Sequence, residues 1–207
     1  MNNLFGMEST AAYLERLLNF AIRKDAMGVA RRLLDRFVRL DFILSARDGE
    51  LLEIEGMTPS AVNLLKITAA LTSRRITDAF ELGKEHTDAE ISDFFVGLYT
   101  GASVETIYML VLDGQSRITS VEYFGEGTVG ASDVYPRRLL EAAVKRRAAA
   151  VILAHNHPRG EGAPSKEDNY ATEKLFNLFR NAGIELRAHY IVSERAVSTV
   201  NLSELVN

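Results

Sequence analysis

The 207-residue sequence contains no cysteine. This absence excludes disulfide bonds, thiolate zinc sites and cysteine nucleophiles, so a tight metal site in this chain must use histidine and carboxylate ligands. A strong charge of one sign is also lacking, because 24 lysines and arginines stand against 28 aspartates and glutamates, for a net charge of −4. This balance gives no global electrostatic argument for nucleic-acid binding, although it leaves a local basic face open.

Long apolar runs are missing as well. No stretch has the length and the lack of charge of a membrane span, and the first ten residues show no basic region followed by an apolar stretch. We therefore expect no membrane segment and no signal peptide, and a cytoplasmic location. With 47% hydrophobic and 25% charged residues, the composition is typical of a globular protein that buries a core.

The first part of the chain has a helical pattern. From about residue 9 to residue 83, apolar residues recur at spacings of three and four, which predicts helices throughout. Gly56 ends a short helix, and Thr58 with Pro59 begins the next one in the N-cap and first-turn positions. The polar segment 81–88 contains Gly83 and marks a boundary. The sequence therefore predicts an all-helical domain with a helix-hairpin-helix outline over residues 1–84.

Residues 85–207 mix strand and helix patterns. Two β-branched and aromatic runs, 106–112 and 118–124, flank a Gly-Gln turn and predict a β-hairpin. The apolar run 149–154 predicts a buried strand, and the alternation over 186–192 predicts a final one. Helices are predicted to begin at Thr87, Pro136 and Ser165. Strands alternating with helices indicate a second domain of the α/β or α+β class over 85–207.

Two of the four histidines lie at the end of the buried strand. His155 and His157 are two residues apart, so a strand would direct both imidazoles to one side. A loop with two prolines and two glycines follows, and Ser165 then caps a helix that carries Asp168 in its first turn. Two histidines and one carboxylate, with a fourth position left for water, are the ligands of a catalytic zinc site.

Each residue of this group also has a structural interpretation. Asp168 lies three residues after Ser165, so the two side chains can form a helix-capping pair worth about 1 kcal/mol whether or not a metal is bound. A lone histidine at a strand end is more often a hydrogen-bonded structural residue than a metal ligand. The complete arrangement favours a metal site more strongly than any of its parts.

The spacing His155-x-His157-Pro158, six residues and then Ser165-x-x-Asp168 resembles the JAMM motif of JAB/MPN metalloproteases, a class that includes zinc deubiquitinases. The surrounding sequence is similar to the bacterial RadC family over about residues 103–200, in segments 108–113, 125–128, 135–137 and 152–158 and in a histidine, His189, within the last long strand. RadC-like proteins also carry a helix-hairpin-helix region before the JAB domain. One departure is Tyr135-Pro136-Arg137-Arg138, where the family usually has His-Pro-Arg-Glu.

The resemblance implies a JAB/MPN fold, a cytidine-deaminase-like mixed sheet flanked by helices, with Zn2+ held by His155, His157 and Asp168. It implies that Ser165 stabilises the oxyanion of a tetrahedral intermediate. The activity implied is that of a zinc-dependent peptidase or isopeptidase acting on a protein or peptide, whose identity the sequence does not reveal.

The JAMM pattern also needs an upstream glutamate that takes the proton from the water and is not a ligand. Glu105 is our choice because it begins the first strand of the domain, as the family glutamate does. Glu122 and Glu126, on the neighbouring strand and at its exit, are its rivals. His189 is expected to be a neighbour of the ligands or a structural residue.

A second hypothesis is a DNA-repair-associated accessory protein that binds DNA through the helix-hairpin-helix region. A DNA-binding hairpin normally presents bare glycine amides to a phosphate, whereas this one has a single glycine, Gly56, and Pro59 removes one amide donor. Lys66, Arg74 and Arg75 are candidates for phosphate contacts, and a solvated helix face explains them equally well. A third possibility is a metal-bound scaffold that recognises a partner and cleaves nothing.

Overall fold

The computed structural model describes residues 7–126, 134–158, 162–193 and 197–205. The chain separates into two compact units, one of Met1–Arg75 with Thr100–Ser103 and one of Ile76–Tyr99 with Val104–Asn207. Each unit has its own cluster of buried apolar side chains. The domain boundary between residues 84 and 85 stays a prediction.

The first unit is helical, as the spacing of its apolar residues predicts. Its helices are α1 (Met7–Leu18), α2 (Ala26–Phe37), α3 (Leu40–Ser45), α4 (Asp48–Leu52) and α5 (Pro59–Asp78), the last of which continues past the unit. Gly56 lies between α4 and α5 with φ of +89°, a left-handed conformation that favours glycine. Thr58 caps α5 by accepting a hydrogen bond from the amide of Ala61. The predicted turn between the two helices is therefore confirmed.

The second unit is built around a mixed sheet. Within the described residues, the sheet has five strands in the order β2-β1-β3-β4-β5. Only the β3–β4 pair is parallel, and α8 provides the crossover between these two strands. The elements are α6 (Asp88–Tyr99), β1 (Thr106–Leu112), β2 (Ile118–Glu126), α7 (Val134–Lys145), β3 (Ala150–His157), α8 (Lys166–Asn181), β4 (Glu185–Ser193), β5 (Val197–Thr199) and a 3-10 helix (Leu202–Leu205).

Helices cover both faces of this sheet. Alternate residues of β3, Val151 and Leu153, pack in a core with side chains of α7 and α8 such as Leu139 and Phe179. The intervening residues of β3 face α6, whose Tyr99 hydroxyl donates to the carbonyl of Ala154 at 2.8 Å. Because both faces are covered, β3 is buried along nearly its whole length, which explains its continuous apolar run. The mixed α/β fold predicted for this half is confirmed.

No helix in the described parts of the chain is both long enough and apolar enough to cross a membrane.

Candidate metal centre

The two histidines of the motif lie side by side at the end of β3. They are two residues apart on one strand, so both imidazoles point to the face that α8 covers. His155 is fully buried, and His157 is partly exposed. Their Nε2 atoms are 2.9 Å apart. The strand continues to His157 because its pairing with β4 continues to Ser193, so a regular ladder fixes the spacing of the two rings.

Asp168 in the first turn of α8 completes this group. Its Oδ1 lies 3.0 Å from Nε2 of His155, and its Oδ2 lies 3.3 Å from Nε2 of His157. Ser165 holds the carboxylate in place, since its amide and its hydroxyl donate to Oδ2 at 2.8 and 2.6 Å. The hydroxyl also accepts from the amide of Asp168 at 3.0 Å, which completes a capping box. The predicted capping pair is thus present, and Oδ1 receives no hydrogen bond from Ser165.

Two opposing effects act on the pKa of the Asp168 carboxyl. Its burial would by itself raise its pKa, because a charged group loses hydration there. Hydrogen bonds from His155, His157 and Ser165 outweigh the burial, and they hold the pKa of Asp168 well below its usual range. The carboxylate is therefore ionised at neutral pH and presents a full negative charge to the two imidazoles.

A chain of hydrogen bonds behind His155 fixes which of its ring nitrogens carries the proton. The Thr172 hydroxyl, four residues after Asp168 on α8, donates to the carbonyl of Asp168 at 2.6 Å. It has one proton to give, so it must accept from Nδ1 of His189, also at 2.6 Å. Burial, together with the nearby His155, lowers the pKa of His189 well below its ordinary value, and the ring is therefore neutral.

Because His189 is neutral and its proton is on Nδ1, its Nε2 is an acceptor. Nε2 of His189 lies 2.9 Å from Nδ1 of His155, so His155 donates from Nδ1. The other ring nitrogen of His155, Nε2, faces His157 and Asp168 and is the atom that a metal would bind. The expectation that His189 is a neighbour of the ligands agrees with this position in β4.

Three potential ligand atoms lie close together: the Nε2 atoms of His155 and His157, and Oδ1 of Asp168. Either a proton on one of the ring nitrogens joins these atoms through hydrogen bonds, or a metal ion lies among them. Ligand atoms around a tetrahedral zinc with bonds of about 2.0–2.1 Å are about 3.3 Å apart. The nitrogens are 2.9 Å from each other, and Oδ1 is 3.0 Å from the nearer one. These separations are shorter than those around a bound zinc ion, whereas the donor types, imidazole nitrogens and carboxylate oxygens, are ones that zinc accepts.

Glu105 approaches the same point from the start of β1. One of its carboxylate oxygens and one ring nitrogen each from His155 and His157 all lie within 4.8 Å of one another. Both Glu105 and Asp168 are thus candidates for a third ligand, but only Asp168 is in direct contact with the imidazoles. Burial is the main cause of a raised pKa for Glu105. The two histidines oppose that rise, and the Asp168 charge adds to it.

The two rival glutamates lie elsewhere. Glu122 is paired across from Met109, farther along the sheet, and it forms an ion pair of 2.7 Å with Arg146. Glu126 pairs with Thr106, and cross-strand partners share a face. Thr106 lies on the face opposite to the imidazoles, so Glu126 does as well. Glu105 is the one of the three glutamates that the structure brings to the histidines.

Thr172 was missed in the sequence. The signal available there is its position four residues after Asp168, which places both side chains on one face of a helix. A threonine in a helix has many neighbours at that spacing, so the pattern alone does not identify it.

In the first unit, Lys66 is not available to a phosphate in the way proposed from the sequence. Its Nζ donates to the carbonyls of Leu44 and Ala46, at 3.1 and 2.5 Å, just where α3 ends. Burial lowers the pKa of this lysine, and Asp48 and Glu50 partly offset that effect. Lys66 thus stabilises the end of α3, and DNA binding by this region stays a prediction.

Comparison with known proteins places this arrangement in a family context. Residues 86–204 match the RadC-like JAB domain. A UPF0758 protein of Idiomarina loihiensis is 32% identical over 170 residues, which cover 82% of this chain and 76% of the relative. A UPF0758 protein of Shewanella sp. strain W3-18-1 is 30% identical over 199 residues, which cover 92% of this chain and 88% of that relative. The names of these relatives state no activity.

Proposed function

Since the chain belongs to the RadC-like JAB domain family, we propose that it is a zinc-dependent hydrolase that cleaves an amide bond in a peptide or protein. The observation that carries the proposal is the close approach of two imidazole nitrogens and a carboxylate oxygen, at 2.9 and 3.0 Å, with a second carboxylate oxygen within 4.8 Å of the nitrogens. A metal ion among these atoms would coordinate both imidazole nitrogens and the carboxylate oxygen at once. A structural capping pair alone does not require the histidines.

Zinc suits this donor set because the chain offers nitrogen and oxygen ligands and no thiolate. His155, His157 and Asp168 would hold the ion. Zinc at this position would polarise the carbonyl of the scissile amide and lower the pKa of a coordinated water to about 7.

Glu105 is the proposed general base. Its carboxylate lies within 4.8 Å of a ring nitrogen of each imidazole, close enough to reach a water molecule on a metal held there. Burial raises the pKa of Glu105, which brings the group closer to the pH at which a base works best. Glu105 takes the proton from the attacking water and can return it to the leaving amine.

Ser165 is the proposed oxyanion donor. Its hydroxyl lies at the N-terminus of α8, where the helix dipole also favours negative charge. In the structure this hydroxyl donates to Oδ2 of Asp168, so it must rotate to serve the substrate. Threonine keeps both the hydroxyl and the capping ability, whereas alanine removes both. S165T should therefore retain much more activity than S165A.

Metal analysis is the first test. We expect stoichiometric zinc in the wild-type protein and its loss in H155A and D168A, whereas D93A, which removes an exposed carboxylate from α6, keeps the metal. The second test screens a peptide library for cleavage. E105Q should bind zinc normally and cleave about a hundredfold or more slowly, with E173Q on the exposed side of α8 as its control. A wild-type protein without zinc, or D168A with full zinc, would contradict the proposal.

A further inference from the structure

Asn156, the residue between the two histidines of the motif, lies on the opposite face of the sheet from them. Asn156 is almost fully buried, and strand alternation directs its side chain to the face opposite to the imidazoles. The ladder between β1 and β3 ends at the pair Ile107 and His155. Beyond that pair, the Asn156 carboxamide takes over the hydrogen bonding to the chain that leads into β1.

The carboxamide forms hydrogen bonds with the residues on both sides of Glu105. Its Oδ1 accepts from the amide of Thr106 at 2.8 Å and from the hydroxyl of the same residue at 3.1 Å. Its Nδ2 donates to the carbonyl of Val104 at 3.0 Å. A main-chain amide is always a donor and a carbonyl always an acceptor, so these partners also fix the orientation of the carboxamide. Among the side chains of this size, only asparagine offers both an acceptor and a donor in this geometry.

Tyr99 secures the same segment from α6. Its hydroxyl lies 3.3 Å from the carbonyl of Thr106 and 2.8 Å from that of Ala154, the neighbouring residue of β3. Thr106 is thus held at its amide, its hydroxyl and its carbonyl. Glu105 precedes it directly, and its own side chain points to the imidazoles.

We propose that Asn156 is a positioning residue: its carboxamide holds residues 104 and 106 so that the Glu105 carboxylate lies against the two imidazoles. The inference depends on the proposed function for its catalytic consequence, because it assigns a task to the residue that places the general base. The end of β3 then has a different role on each face of the sheet. His155 and His157 present ligands on one face, and Asn156 places the base from the other.

The first readout does not need activity. In the zinc-free protein, hydrogen exchange at the amide of Thr106 should be about tenfold or more faster in N156A than in the wild type, while the amide of Leu110 in the middle of β1 is unchanged. N156D keeps the acceptors for Thr106 and loses the donor to Val104, so its Thr106 amide should stay protected. N177A, which removes a partly exposed asparagine of α8, should change neither amide. N156D also serves as the second variant if alanine prevents folding.

A crystal structure of zinc-loaded N156A gives the second readout, the distance from the Glu105 carboxylate to the imidazoles. We expect that distance to increase by about 1 Å or more, enough to slow a reaction about a hundredfold. Zinc affinity should stay within about threefold of the wild type, since no ligand changes. Unchanged exchange at Thr106, or an unmoved carboxylate, would overturn the proposal.

Kinetics provide the third readout. N156A should lower kcat about 10- to 100-fold and leave KM nearly unchanged. In an E105Q background, the same substitution should add little, because the group that it positions is already lost. An equal loss in both backgrounds would mean a purely structural role and would overturn the proposal. If the zinc-loaded wild type cleaves nothing, the proposed function fails, and the exchange and the crystal structure still decide the placement of Glu105.

Discussion

Replacing Thr172 by valine tests the hydrogen-bond chain behind the proposed metal ligands. Valine has nearly the same size as threonine, so it leaves no cavity at this fully buried position. It removes the hydroxyl that accepts from His189 and donates to the carbonyl of Asp168. That carbonyl keeps its helical hydrogen bond, so the group that loses its partner is the Nδ1–H of His189.

The expected loss of zinc affinity follows from how His189 responds to the lost hydroxyl. A buried N–H group without an acceptor costs about 1–3 kcal/mol. The ring can avoid this cost in the zinc-free protein by moving its proton to Nε2, which makes His155 move its own proton to the nitrogen that faces Asp168. Zinc binding needs that nitrogen bare, so the cost returns when zinc binds. We expect T172V to bind zinc about 10- to 100-fold more weakly, which corresponds to about 1.4–2.7 kcal/mol.

The assay is competition with a chelator of known zinc affinity. T172S is the matched control, because it keeps the hydroxyl and loses only a methyl group, and its affinity should stay within about threefold of the wild type. Nitrogen NMR of the imidazoles in the zinc-free protein reports the tautomers directly. The wild type should show His155 protonated at Nδ1, and T172V should show the proton at Nε2. Equal zinc affinities for T172V and T172S would refute the reasoning.

Three further predictions concern the carboxylate, the buried histidine and the first unit. D168N keeps the shape of the side chain but removes its charge, so it should lose stoichiometric zinc on dialysis, as metal analysis will show. Because the pKa of His189 is lowered in the folded state, the unfolded state takes up a proton at low pH that the folded state does not. The free energy of unfolding of the zinc-free protein should therefore decrease as the pH drops below about 6.5, by at most about 1.4 kcal/mol per pH unit. H189Q should flatten that slope in urea titrations. K66M should lower the free energy of unfolding by about 1–2 kcal/mol in urea titrations, because two main-chain carbonyls lose a charged donor, whereas R75M should change it little. A K66M protein of unaltered stability would contradict the assignment of that lysine.

The elements around the site could be predicted from local patterns because each has a strong local cause. The hairpin of β1 and β2 follows from β-branched and aromatic runs on either side of a turn, and α8 from the cap at Ser165 and an apolar period. β3 is longer than its apolar run suggests, since pairing with β4 extends it through the histidines. β5 has three residues and was not predicted, because so short a strand exists only through its pairing with β4.

The contacts around the ligands could not be predicted in this way. His155 meets His189, 34 residues away, because the parallel register of β3 and β4 sets the level of each side chain. The sequence left three glutamates open as the base for the same reason. Choosing among them requires the register of β1 with β2 and with β3, because a shift of one residue would move each glutamate to the other face of the sheet.

The alternation of β3 determines where the central residue of the motif directs its side chain. A strand end that supplies two ligands to one face must turn the intervening side chain to the other face. That side chain meets the chain entering β1, since the two strands are neighbours and antiparallel. The intervening residue therefore either completes the hydrogen bonds of that chain or leaves the amide of Thr106 and the carbonyl of Val104 without these partners. Asn156 completes them, so the geometry that creates the proposed metal site also creates the means of placing its proposed base.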